Sequence, residues 1–289
     1  MTGVVPPAPF ENPAVVAAAY LGVRPGPRPA GMDDRYIREP FLDLSQCLVP
    51  VGPRATWAAP NIDKHLRALG VPAGAVDAAK TWIDDLDHRG GLLFPNVFRR
   101  PHDIAKFSEL FVTDGLAVLG VALAADQVDR FLDEQDAEIG QEGGIAAMLR
   151  ARAPLTRGFR ALGYEPVAVH HGGLSCSWTC NSLQEEVAAA TGIVPNEHGF
   201  IDTAEQADAV MTYLADPAMA KEDGIWRAWL IVRYDALPWV FKSASSRQVG
   251  SATIAPPTPA IGGPPWPGGR RSPHTTLLGE GGAAKSVSR

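Results

Sequence analysis

Cysteine is scarce in this chain: three among 289 residues. An odd count does not make a disulfide framework, so a reducing cytosol is the expected compartment. Long apolar runs are missing too. Nothing approaches the roughly 20 residues that a membrane-spanning helix needs, and the start, MTGVVPPAPFENP, has neither the charged opening nor the apolar core of a signal peptide. Basic charge is short in the body. Met1–Lys242 carries a net −10, whereas Ser243–Arg289 holds five basic residues and a single acid. An acidic body argues against broad nucleic-acid binding, which depends on Lys and Arg meeting phosphates.

The familiar chemical signatures are also missing. No G-x-x-x-x-G-K-[ST] and no G-x-G-x-x-G after a strand occurs, which leaves no nucleotide cradle. Neither a G-x-S-x-G elbow nor H-E-x-x-H is found. The run FVTDGLAVLGVALAADQVDRF, residues 111–131, resembles the segment that leads into the core of non-haem iron, 2-oxoglutarate-dependent dioxygenases. That family needs a His-x-Asp/Glu pair for its facial triad. The chain has none, so nothing is carried over.

What is present is a punctuated, ordinary globular composition, 46% hydrophobic and 20% charged. Proline and glycine mark residues 1–31 as a disordered arm, in which PAVVAAAYL (residues 13–21) makes at most a turn or two of helix. The Pro/Gly-rich basic tail, residues 243–289, reads as disordered, with Trp266 its conspicuous aromatic. Between them, NIDKHLRAL and PAGAVDAAKTWIDDLDH form a helical hairpin, closed by Gly70 and by Gly90-Gly91, within a subdomain over residues 32–102. An α+β domain over residues 103–242 follows. Its run GLAVLGVAL (residues 115–123) is strand or helix, which periodicity cannot decide. Residues 126–139 are an amphipathic helix, and residues 145–162 a helical stretch broken at Pro154.

The thirteen residues HHGGLSCSWTCNS, from His170 to Ser182, concentrate two histidines and two cysteines. Strict alternation over LSCSWTC predicts a half-buried strand, paired with residues 166–171 across a Gly172-Gly173 loop. One face would then bury Val167, Val169, Cys176 and Trp178, and the other would present His170, Ser175, Ser177 and Thr179. Four strand residues separate Cys176 from Cys180 by roughly 13 Å, too far for a disulfide or a shared metal. The expectation is therefore no metal and no cofactor. Ser182 and Glu185 fit a capping box, Thr203 or Asp202 caps another helix, and IWRAWLIVRY is a strand.

Together these predict an α+β fold: a helical N-terminal half, then a β-β-α-α-β unit with a small, mainly antiparallel sheet, and disordered tails at both ends. The expected function is a soluble, cytoplasmic, non-enzymatic module for protein interaction, regulation or protection. Its partner would be a protein, with a small molecule as second choice and no membrane. The binding candidates are Trp226 and Trp229, joined by Trp239 as an aromatic surplus, and the loop pair Arg99 and Arg100 as an anion fork. The alternative is a hydrolase-type enzyme using His170, Ser177 and His198 beside Glu185 or Glu186. Asp84, Asp87 and His88 share one helical face, which reads as solvated.

Overall fold

The computed structural model describes residues 14–235, apart from 31, 38, 55–60, 95–96, 140–142 and 220. The basic tail, Trp239 and Trp266 lie outside them. Eight strands form one antiparallel, curled sheet resembling a half-barrel. They are β1 (Val15–Val23), β2 (Val51–Gly52), β3 (Leu92–Leu93), β4 (Val97–Phe98), β5 (Ala117–Ala124), β6 (Arg160–His170), β7 (Gly173–Ser177) and β8 (Ile225–Tyr234). Their order is β3-β4-β1-β5-β8-β6-β7, with β2 on the end of β1.

This overturns the expected helical N-terminal half with a small sheet. The reason lies in β1. Its sequence, VVAAAYLGV, has a helix-favouring alanine centre, yet Ala17, Ala18 and Ala19 are all buried between β5 and the packed layers. A strand covered on both faces wants small or β-branched side chains throughout, with no polar alternation to reveal it. Tertiary pairing overrides local propensity here. The undecided run 115–123 is likewise a strand, β5, joined to β1 along its length and to β8 on its other side.

Seven helices among the described residues cover the sheet: α1 (Ile62–Ala68), α2 (Val76–His88), α3 (Pro101–Phe111), α4 (Val128–Ile139), α5 (Gly144–Arg150), α6 (Gln184–Thr191) and α7 (Ala204–Leu214). The stripe Val76, Ala79, Ile83 and Leu86 turns α2 inward. Ile104 and Phe107 do so for α3, whereas Leu110 is exposed. Trp82, Phe107 and Phe111 pack in one aromatic group with tilted and edge-on rings. Thr203 caps α7 by accepting from the Gln206 N–H, but Ser182 makes no such cap for α6, which begins later. The helical stretch expected over 145–162 stops at Arg150, and Leu162 belongs to β6. No helix of the described residues is long and apolar enough to cross a membrane.

The β6–β7 hairpin differs in register from the expectation. His170 pairs with Gly173 and Val169 with Leu174, so the two-residue loop is His171-Gly172. Both have positive φ, 48° and 77°, as a type I′ turn requires. A bulge between Val167 and Val169 then sets Val167 opposite Ser177. Cys176 and Trp178 are buried, as the alternation implies, but so is Ser177. The strand ends there.

A three-cysteine candidate metal centre

The site begins in the loop between β1 and β2, in the sequence Asp43-Leu-Ser45-Gln-Cys47. Each polar side chain accepts from the N–H two residues on. Asp43 Oδ1 takes the Ser45 N–H at 2.6 Å, and Ser45 Oγ takes the Cys47 N–H at 3.2 Å. Asp and Ser favour such local turns because their short side chains mimic a backbone carbonyl. The outcome is a tight, buried loop that presents Cys47 at the surface.

The second wall comes from the chain after β7. Instead of continuing extended, residues 178–182 turn back: the Asn181 N–H bonds Ser177 O, Ser182 bonds Thr179 O, and Leu183 bonds Trp178 O. Ser182 takes a left-handed φ of 56°. The Ser177 hydroxyl accepts the Cys180 N–H at 3.1 Å and donates to Asp43 Oδ2 at 3.0 Å. One buried carboxyl thus organises both cysteine-bearing loops.

This fold-back removes the 13 Å separation that a straight strand imposes. The Sγ atoms of Cys47, Cys176 and Cys180 all lie within 4.8 Å of one another. Cys47 Sγ is 3.8 Å from Cys176 Sγ, about the edge of a tetrahedron whose metal–sulfur bonds are ~2.3 Å. Cys176 is buried, Cys180 half-buried and Cys47 exposed. Burial is the main cause pushing the Cys176 and Cys180 thiols up; at Cys180 hydrogen bonds with Ser45 and Cys176 act against the rise, while the nearby Cys47 adds to it in both. In Cys176 a hydrogen bond with Glu222 raises it further, while Ser175 acts against the rise. Without a cation, burial keeps both groups as neutral thiols near pH 7. A dication among the three sulfurs reverses that balance, because its charge displaces the protons.

A cavity of about 380 Å³ opens beside Cys47, lined among others by Gln46, Asn61, Lys64 and His65. The buried Nε2 of His65 has no hydrogen-bond partner. Burial, helped by the nearby Arg54 charge, lowers His65 to about 4, which makes it a neutral imidazole near pH 7. Behind the cysteines, Asp43 and Glu165 form a buried carboxyl pair. Burial pushes Asp43 up to about 6. Glu165 goes well above the usual range, through burial and then the Asp43 charge.

The candidates read from the sequence do not assemble here. Ser177 is wholly buried, with its proton directed at Asp43. His170 is exposed, its ring 4.0 Å from that of His171. His198 Nε2 lies 3.3 Å from Arg160 Nη1. No hydrogen bond joins the three. Trp226 and Trp229 are buried, and their indole N–H groups donate to Glu222 O at 2.9 Å and Val167 O at 3.2 Å. Arg99 and Arg100 are exposed, and Arg100 lines a second cavity of about 380 Å³ with His102 and Thr156. Sequence reasoning missed Asp43, Cys47 and Glu165. Only the D-x-S-x-C spacing, which suits consecutive side-chain turns, hinted at the first two. No protein-family model matches this chain, and no curated protein or solved structure matches it significantly.

Proposed function

We propose that the protein binds one thiophilic d10 cation of the zinc class through Cys47, Cys176 and Cys180, and acts without catalysis as a regulatory or protective module. The supporting observation is the convergence of all three cysteines of the chain, one of them 129 residues from its nearest partner. Thiolates select soft and borderline ions such as Zn²⁺ and Cu⁺ over Mg²⁺ or Ca²⁺. Three of them more than neutralise a dication, which leaves it a weak Lewis acid and a poor activator of water. Exposed Cys47 supplies the access route that binding requires. Asp43, through Ser45 and Ser177, holds the ligand loops as an outer shell does in metal sites.

The regulatory role is supported by where the ion would sit. It would tie the β1–β2 loop to β7 and to the turn after it, at the rim of the cavity beside Cys47. Occupancy would set the shape of a surface that a protein partner reads. Titration of the reduced protein with Co²⁺ tests the proposal. A thiolate-to-cobalt charge-transfer band should saturate at one equivalent and be displaced by Zn²⁺. A spectrum of hexaaquo cobalt at every ratio would refute it.

A further inference from the structure

We infer that the cysteine centre is also an oxidative modification site, in which Cys47 is the thiol attacked by a hydroperoxide and Cys176 resolves it to a Cys47–Cys176 disulfide. Two features carry this. Cys47 is the exposed member of the trio, open to an oxidant from solvent. Its sulfur already sits 3.8 Å from Cys176 Sγ, so a rotation of the side chains closes the bond. Cys176 itself is buried and sheltered from the oxidant, which fixes the order of events.

The chemistry balances. Cys47 sulfur attacks one peroxide oxygen and breaks the O–O bond, giving a sulfenic acid and one water. Cys176 sulfur then attacks the sulfenic sulfur, expelling its oxygen as a second water. Each sulfur loses one electron, and the two electrons reduce the peroxide. Starting from the ion-loaded centre, three protons are taken up, and the free dication and the Cys180 thiol are released. This ion-release step rests on the metal reading above; the disulfide does not.

Metal-free, full-length protein treated with one equivalent of hydrogen peroxide, alkylated and mapped without reduction, decides the matter. The expected product is two hydrogens lighter before alkylation, and maps afterwards with Cys47 linked to Cys176 and Cys180 alkylated. Cys176→Ser should instead trap Cys47 as a sulfenic acid open to a dicarbonyl probe, and Cys47→Ser should slow peroxide consumption at least ~10-fold. A Cys176–Cys180 link, a disulfide between chains, or a Cys47 that stays fully alkylatable would each overturn the inference. In Zn²⁺-loaded protein, ion release should match the peroxide consumed. If no ion was ever taken up, the metal reading falls while the peptide map still decides the disulfide.

Discussion

Asp43 and Glu165, each about 1% exposed, face one another behind the cysteine loops. Neither makes an ion pair among the described residues, and both Glu165 oxygens have no well-aligned hydrogen-bond partner. Two carboxylates cannot both ionise in such a place, so the pair holds a proton. With the proton on Glu165, Asp43 remains the ionised acceptor that Ser45 and Ser177 need.

This pair gives a pH prediction. Both carboxyls titrate higher in the folded chain than in the unfolded one, where they lie near about 4. Their stabilisation is complete below that unfolded value; Asp43's share is lost as pH rises through about 6, and Glu165's as pH rises through its own raised value. His65 acts with the opposite sign. Its folded value, about 4, is below its ordinary 6.5, so its contribution is present above 6.5 and lost as pH falls toward 4. Glu165→Gln keeps the shape and needs no proton. Urea melts from pH 4 to 8 should show the variant gaining on the wild type as pH rises; a constant difference would remove the shared proton.

Ser177→Ala should be costly. It leaves Asp43 Oδ2 and the Cys180 N–H both short of a partner inside the fold, a loss of about 1–3 kcal/mol. As an outer-shell change it should also weaken ion binding by about 10- to 100-fold. Chemical denaturation and a competitive chelator titration measure the two effects. A silent substitution would mean that Asp43 does not organise the site.

Trp178 fills the core without using its indole N–H, which has no partner. Trp178→Ala should therefore cost about 3–5 kcal/mol, while Trp178→Phe, which forfeits no hydrogen bond, should cost much less. Equal losses in denaturant midpoint would show that the N–H is bonded after all.

The hairpin turn places His171 at φ 48° ahead of Gly172. Asparagine tolerates that region better than histidine. His171→Asn should raise stability by about 0.5–1 kcal/mol, read as an increase in Tm; a decrease would indicate that the tilted His170–His171 ring contact outweighs the backbone strain.

How much of this was readable in the sequence depended on whether a segment shows two faces. The α2 stripe and the buried Cys176 and Trp178 follow from periodicity, because one face meets water or polar groups. The strands β1 and β5 are buried on both sides, so AVVAAAYL and GLAVLGVAL carry no pattern to separate strand from helix. The site failed for another reason. Residues 178–182 turn without glycine or proline, placing Ser182 in a left-handed conformation, and Cys47 arrives from a distant loop. Alternation in LSCSWTC reads as strand through Cys180, and that single extrapolation kept the cysteines apart.

The most direct measurement is native mass spectrometry of the full chain, reduced, purified without affinity tags and exchanged into Zn²⁺. One ion should remain per chain, at a mass two protons short of simple addition, as a bound dication requires at fixed charge. Cys47→Ser, Cys176→Ser and Cys180→Ser should each lower retention sharply. A chain that keeps no ion, or one whose retention is indifferent to all three substitutions, would contradict the account.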